Sequence, residues 1–238
     1  RYRLTPKVID ILTFCTKNPQ PILDRLQELS EYCCVWYVPI TCYGRDVEPF
    51  VPETGQVMDS FKRLSALVGK ERVIWRYDPV FLSDIYPEEY HVQQFAWMAD
   101  SLSRYTDRCV VSFIDLYEKT KRNFPGIREV AWEEQKRLIK AFSRIAARNH
   151  IKIHLCCEKK ELETDHVDTK GCMTKEVLEQ AAGFSLNMPK KRPARPECGC
   201  LLGADIGAYN TCGHGCLYCY ANYDRKTVAR NIKNHNLD

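Results

Sequence analysis

An alternation of short apolar runs with stretches of helical periodicity fills the first 157 residues, and it limits this chain to few folds. The apolar runs have the length of strands and lie at residues 8–15, 33–40, 73–77, 109–114 and 151–157. The helical stretches separate them and lie at residues 22–32, 54–68, 88–105 and 129–149. Strands that are apolar throughout and are joined by helices form a parallel sheet with both faces covered. The pattern therefore predicts an α/β fold.

Two phosphate-binding motifs would indicate a nucleotide-binding sheet, and neither occurs. No G-x-G-x-x-G follows a strand, and the sequence contains no G-x-x-x-x-G-K-S/T. Five repeats of strand and helix also exceed one mononucleotide-binding half of a dinucleotide fold. We therefore predict that residues 1–157 form a partial TIM-like (βα) barrel with parallel strands, which lacks at least one βα unit at its N-terminus. A doubly wound open sheet is the alternative.

Polar side chains lie at the C-terminal end of each predicted strand. They are Thr16, Lys17, Asn18, Thr41, Tyr43, Arg76, Asp78, Ser112, Asp115, Cys157 and Glu158. Any one of them could simply mark the point where a strand reaches the surface. In a (βα) barrel, however, the C-terminal ends of the strands surround the active site. We therefore interpret the set as the polar rim of one cavity.

Residues 158–238 lack this alternation, and we predict that they form an irregular, Cys-rich metal-binding segment. The chain has 13 cysteines, and it is large enough to form a core without disulfides. Seven of these cysteines follow residue 156 in clusters, which indicates metal ligation in a reducing cytoplasm. The sequence contains no signal peptide and no apolar run of about 18 residues, so neither secretion nor membrane spanning is expected.

The cysteine loop, residues 211–222, carries the most specific pattern in the sequence. Cys212, Cys216 and Cys219 have the spacing C-x3-C-x2-C, with two glycines and His214 between them. Three thiolates on a Gly-rich loop can converge on one soft metal centre. A [4Fe–4S] cluster suits three ligands because it leaves one iron open to a small molecule. A zinc knuckle completed by His214 is the alternative.

A second set of cysteines is spread over the irregular segment. Its members are Cys157, Cys172, Cys198 and Cys200, with Cys156, His154 and His166 nearby. Four thiolates could close an auxiliary iron–sulfur cluster or a structural zinc site. Because long irregular segments need something to order them, a metal would serve that purpose. Unrelated free thiols are the alternative.

The residues around the cysteine loop resemble a known group of enzymes. Residues 209–221 are similar to the cluster loop of the spore photoproduct lyase-like branch of radical S-adenosylmethionine (SAM) proteins, which has the pattern C-x-H-x-C-x-Y-C-Y-A. Residues 16–19 (Thr-Lys-Asn-Pro) and 48–49 (Glu-Pro) resemble two further segments of that branch. Nearly the whole chain, including residues 70–79, resembles the family called domain of unknown function 1848, whose members carry an extra N-terminal βα unit. In radical SAM proteins the cluster loop normally follows the first strand, whereas here it comes last.

This resemblance implies a cofactor set and a type of reaction. The implied cluster ligands are Cys212, Cys216 and Cys219. Lys17 and Thr41 would face SAM, and Tyr218, directly before the third cysteine, would lie against its adenine. The cluster would bind SAM at its open iron and reduce it by one electron, and the resulting 5′-deoxyadenosyl radical would abstract hydrogen from a substrate. An electron donor protein is therefore also expected.

Three functions remain open at this point. The first is a radical SAM-type enzyme with an unknown substrate. The second is a non-catalytic zinc or iron–sulfur module, whose basic C-terminal tail docks nucleic acid or a protein partner. The third, nucleic-acid repair, rests only on analogy with the lyase-like branch. The net charge of +4 is too small to indicate nucleic acid by itself, and the basic connector at residues 190–196 has no aromatic residues interleaved, which favours a solvated linker.

Overall fold

A computed structural model of the chain describes residues 4–187, 198–201 and 204–235. Its centre is a six-stranded sheet in which each strand pairs in parallel with the next one along the chain. The strands are β1 (Leu12–Cys15), β2 (Cys34–Pro39), β3 (Val73–Val80), β4 (Arg108–Phe113), β5 (Lys152–Leu155) and β6 (Val167–Asp168). The sheet therefore extends beyond residue 157 through β6, and the division of the chain at that residue stays a prediction.

Helices connect the strands and follow the last one. They are α1 (Gln20–Leu23), α2 (Thr54–Val68), α3 (Glu88–Leu102), α4 (Glu118–Asn123), α5 (Trp132–Arg148), α6 (Lys175–Ala182) and α7 (Arg225–Lys233). Short 3₁₀ turns lie at Leu26–Leu29, Lys70–Arg72 and Lys160–Leu162. No helix within the described ranges combines the length and the apolar character that crossing a bilayer requires.

The order of the strands distinguishes the two predicted architectures. A doubly wound sheet reverses its strand order at one point, whereas a (βα) barrel adds each new strand beside the previous one. The order here runs from β1 to β6 without a reversal, and within the described residues β1 and β6 are the two edges. The predicted α/β fold, a partial TIM-like barrel with a Cys-rich segment after it, is confirmed.

The outer face of the sheet, which α2, α3 and α5 cover, holds the main core. α5 buries Leu138, Ile139, Phe142 and Ala146, which lie on one face because they are spaced one, three and four residues apart. The indole of Trp75 on β3 lies 4.8 Å from the ring of Phe95 on α3, and that ring lies 4.3 Å from Phe142 on α5. This continuous aromatic stack ties both helices to the middle of the sheet.

The inner face of the sheet would be the interior of a closed barrel. Side chains alternate along a strand, so this face presents Ile74 and Arg76 of β3 while Trp75 points to the outer face. α6 packs here through Val177 and Ala181, against apolar side chains of β2, β3 and β4. The side chain of Thr174 begins α6 by accepting a hydrogen bond from the backbone N–H of Val177 at 3.3 Å.

Candidate functional site

The cysteine loop lies at the C-terminal edge of the sheet, against the segment that follows β2. The backbone N–H of Phe50 donates to the His214 carbonyl at 3.1 Å, and His214 Nδ1 donates to the Phe50 carbonyl at 3.1 Å. Two residues before the third cysteine, the N–H of Leu217 donates to the Val47 carbonyl at 3.0 Å. These bonds hold the loop at His214 and at Leu217. The last part of the sequence therefore packs beside the segment that follows β2.

A buried polar network lies beneath the loop and centres on Glu48. Lys17 follows β1 by two residues. Its Nζ lies 3.0 Å from Glu48 Oε1 and donates to Thr41 Oγ1 at 3.1 Å. The Thr41 hydroxyl donates to the same carboxylate oxygen at 2.5 Å, and the Tyr218 hydroxyl donates to it as well. The side chains of Lys17 and Glu48 are only 10% and 5% exposed. The network therefore joins the ends of β1 and β2 to the cysteine loop.

The three predicted cluster ligands come together beside this network. Cys212 is exposed, and Cys216 and Cys219 are half-buried. The N–H of Cys219 donates to the Cys216 carbonyl at 3.1 Å, which closes the turn between them. Desolvation by neighbouring protein atoms raises the pKa of the Cys212 thiol and raises that of Cys216 to about 12, while the nearby Lys17 ammonium opposes both shifts by favouring thiolates. Metal binding would have to displace these thiol protons.

The donor set of the loop is three thiols within eight residues. Within the part of the chain that is described, no group of three or more His, Cys, Asp or Glu side chains is arranged to hold one metal ion. In a cluster each thiolate binds its own iron, so the three sulfurs need not meet at one point. Gly215 has φ +69, which a side chain would strain, and it gives the loop its sharp bend between the first two cysteines. Three thiols on such a loop therefore fit a [4Fe–4S] cluster.

Further contacts hold the outer end of the loop. Asn222 Nδ2 donates to the Cys212 carbonyl at 2.8 Å, and the N–H of Asn210 donates to the Ala221 carbonyl at 3.1 Å. From α4, Lys119 Nζ donates to the Tyr220 carbonyl at 3.1 Å. The loop is thus fixed from the sheet side, from within and from α4, which positions its thiols before any metal binds.

Three of the predicted rim residues form a hydrogen-bonded group on the inner face of the sheet, where β3 and β4 end. We call this edge of the inner face its mouth. Arg76 Nε donates to Asp78 Oδ2 at 3.0 Å, and the Ser112 hydroxyl donates to Asp78 Oδ1. Desolvation by neighbouring protein atoms raises the pKa of Tyr220 on the cysteine loop and of Cys15 at the end of β1, although both side chains are exposed to solvent. Both groups also interact electrostatically with Arg76 and Asp78. The loop and this strand-end group therefore border the same mouth.

Glu158 adds a proton-transfer group to that edge of the sheet. It follows β5, and its Oε1 accepts a hydrogen bond from the backbone N–H of Phe113 at 2.7 Å. The pKa of this carboxyl is raised to about 8, mainly by burial and to a smaller extent by Asp115, while the hydrogen bond from Phe113 opposes the shift. Near neutral pH the group holds a proton that it can release, which is the property of a general acid or base.

The second predicted set of cysteines comes together in part, with one member that the prediction had placed only nearby. Cys172 Sγ lies 3.6 Å from Cys156 Sγ and 3.7 Å from Cys200 Sγ. The hydrogen bond from Cys172 lowers the pKa of Cys200 to about 5, and the thiol of Cys198 interacts with Cys200. Cys157 packs at the border of the same cluster with φ +59. Nothing in the sequence separates two adjacent cysteines at a strand end, so spacing alone could not select Cys156.

Comparisons with known proteins give one family and a distant similarity to a solved structure. The model of the family described as "Domain of unknown function (DUF1848)" matches residues 1–221. A solved structure described as that of a candidate alpha-L-fucosidase from Bacteroides thetaiotaomicron is similar to 68% of this chain, with 10% identity and a TM-score of 0.36. This chain spans about half of that protein, 48% of its length, and likeness at this level identifies no activity. The comparison with curated proteins gave no match.

Proposed function

The chain belongs to the DUF1848 family, and we propose that it is an iron–sulfur enzyme of the radical SAM type. Cys212, Cys216 and Cys219 would ligate a [4Fe–4S] cluster, and SAM would bind at the iron without a protein ligand. A reduced cluster bound there would supply the electron that cleaves SAM to methionine and a 5′-deoxyadenosyl radical. The observation that carries the proposal is the position of three thiols on one fixed loop beside the buried Glu48 network.

The position of the loop in space supports this proposal. In sequence the loop comes last, whereas a radical SAM loop normally follows the first strand. In the fold the loop lies at the ends of β1 and β2, where Tyr218 shares Glu48 with Lys17 and where Cys15, the last residue of β1, interacts with Cys212. The loop is therefore last in the sequence but beside the first strand in space, as expected of a circularly permuted barrel.

Lys17, Thr41 and Tyr218 act in this proposal mainly by positioning the loop. Their polar atoms all engage Glu48, and the cavity that Lys17 and Thr41 line has a volume of about 30 Å³. In this arrangement such a space holds about one or two waters. SAM would then lie on the outer side of the loop, and the network would hold Tyr218 and the adjacent Cys219 from beneath.

The mouth of the inner face is the proposed site for the polar parts of SAM and the substrate. Arg76 can pair with a carboxylate, Asp78 with an ammonium group, and Glu158 can exchange a proton. The electron donor, an unidentified reductase or ferredoxin-like protein, would approach the exposed Cys212. This chemistry would require a reducing compartment such as the cytoplasm.

One experiment tests the activity directly. Protein purified and reconstituted without oxygen is mixed with dithionite and SAM, and 5′-deoxyadenosine is measured by chromatography. Wild type and Cys33→Ala, whose cysteine lies far from the loop in the sequence and beside β2, are expected to form it, and Cys216→Ala is not. A wild-type protein that holds a cluster and forms no 5′-deoxyadenosine would refute the enzyme proposal.

That outcome would favour the second function, a non-catalytic module. One feature supports it: α7 carries Arg225, Lys226, Arg230 and Lys233 and buries only Val228 among its described side chains. A basic, exposed helix of this kind can dock nucleic acid or an acidic protein surface. Salt-dependent binding of a labelled duplex, abolished by Arg230→Glu with Lys233→Glu, would support it, and absence of binding at low salt would count against it.

A further inference from the structure

We propose that Cys156, Cys172, Cys198 and Cys200 form a four-thiolate zinc site on the inner face of the sheet. This site is separate from the cysteine loop and does not depend on the function proposed for it. The four residues come from three parts of the chain: the end of β5, the turn before α6, and the segment that follows the connector. A metal there would fasten the irregular segment to the sheet.

The spacing of the sulfurs distinguishes one shared zinc ion from a second cluster. Zinc–sulfur bonds of about 2.3 Å in a tetrahedron place neighbouring sulfurs about 3.8 Å apart. The separations from Cys172 Sγ to Cys156 Sγ and to Cys200 Sγ are 3.6 and 3.7 Å. Thiolates of a [4Fe–4S] cluster bind separate irons, so they do not lie in contact with one another. The observed spacing therefore favours one zinc ion over a second cluster.

The backbone around these cysteines is built for close approach. The N–H of Gly199, between Cys198 and Cys200, donates to the Lys170 carbonyl at 3.0 Å, and a Cβ on Gly199 would lie 2.2 Å from that oxygen. Only glycine fits at this position, because the clash would be with backbone. The N–H of Met173 donates to Cys200 Sγ at 3.2 Å, a bond that stabilises a thiolate.

A charged partner for the site is also present. A zinc ion with four thiolates carries a net charge of about −2. Arg76 Nη1 lies 3.9 Å from Cys172 Sγ on the buried inner face, where an unbalanced charge is costly. The Tyr37 hydroxyl donates to the Cys172 carbonyl at 2.9 Å and holds this residue against β2. Positive charge and backbone anchoring thus meet at the central cysteine of the four.

Zinc binding would require the four sulfurs to turn toward one point. The described side chains do not surround one ion, although Cys172 contacts two of the other three sulfurs and Cys198 interacts with Cys200. Binding of Zn²⁺ releases the thiol protons to solvent and changes no oxidation state.

A ligand variant and a distant cysteine variant provide the test. The zinc content of the purified chain is measured by mass spectrometry for wild type, Cys156→Ala and Cys33→Ala, and folding of each is checked by circular dichroism. Wild type and Cys33→Ala, whose cysteine lies outside this cluster, are expected to hold about one zinc per chain, and Cys156→Ala at least tenfold less. Cobalt substitution of wild type should give the absorption of a tetrahedral thiolate site.

Three results would overturn the proposal. They are equal zinc in Cys156→Ala and wild type, iron in place of zinc at these residues, and a Cys156–Cys172 or Cys172–Cys200 disulfide in protein kept under reducing conditions. If Cys156→Ala does not fold, Cys156→Ser serves as the second variant, since it keeps the side-chain size but binds zinc weakly. Cys212→Ala should retain its zinc, so failure of the cluster proposal and failure of this one are distinguishable.

Discussion

The buried pair of Lys17 and Glu48 supports the cysteine loop, and its removal has a calculable cost. Both side chains are almost fully buried, at 10% and 5% exposure, and their charged atoms are 3.0 Å apart. Replacing Lys17 by Met leaves the Glu48 carboxylate buried with two neutral donors, Thr41 and Tyr218. Loss of one partner from a buried ion pair costs about 3–5 kcal/mol of unfolding free energy. Glu48→Gln should cost a similar amount, because Lys17 then stays charged and unpaired.

A double-mutant cycle measures whether the two charges act as a pair. Urea unfolding, followed by circular dichroism under reducing conditions, gives the unfolding free energy of wild type, both single variants and Lys17→Met/Glu48→Gln. The double variant should be more stable than the sum of the two single losses predicts, by about 2–3 kcal/mol. Arg25→Met is the matched control, because the Arg25–Glu28 pair is 63% and 58% exposed and should contribute under about 1 kcal/mol. Additive losses of less than 1 kcal/mol each would refute the account of this network.

Three further predictions concern the loop, the core and the pH range of stability. Gly215→Ala places a Cβ 3.2 Å from the Phe50 ring at φ +69, and about 1–3 kcal/mol of strain should lower the iron retained after desalting; unchanged retention would contradict it. Phe142→Ala removes a fully buried ring and should lower the unfolding free energy by about 3–5 kcal/mol in urea titration. Burial lowers the pKa of His91 to about 4 from 6.5 while its Nε2 donates to the Phe81 carbonyl. The neutral, buried His91 therefore contributes a stability that is fully present above pH 6.5 and is lost as the pH falls through 4. Over this range wild type should lose about 3 kcal/mol of unfolding free energy relative to His91→Gln. Parallel pH profiles of the two proteins would contradict this prediction.

Local signals in the sequence predicted most of the elements. The stretch from Thr54 to Val68 forms a helix over those same residues, because a capping box of Glu53 and Gln56 marks its start and Gly69 its end. Each of the five apolar runs overlaps a strand, although β3 continues to Val80, three residues beyond its run, and β4 begins one residue before its run, at Arg108. Residues 22–32, by contrast, form a short helix and a 3₁₀ turn in place of one helix, since the chain turns at Asp24 and Arg25.

Contacts between distant residues set the limits of prediction. The cysteine loop was visible because its ligands lie within eight residues, but its position beside Lys17 depends on pairing residues that are about 200 positions apart. The central role of Glu48 and the contact of Cys156 with Cys172 also arise from tertiary packing. The strand β6 has only two residues and pairs with β5 through the fold around it. The predicted connector at residues 190–196 lies outside the described ranges.

The central claim, a [4Fe–4S] cluster held by the cysteine loop, can be tested by iron and sulfide analysis. Wild type and the triple variant Cys212→Ala/Cys216→Ala/Cys219→Ala are reconstituted without oxygen, desalted and analysed for both elements. The account predicts about four irons and four sulfides per wild-type chain and none in the triple variant. Equal iron in the two proteins, or wild type that holds zinc at the loop and no sulfide, would contradict it.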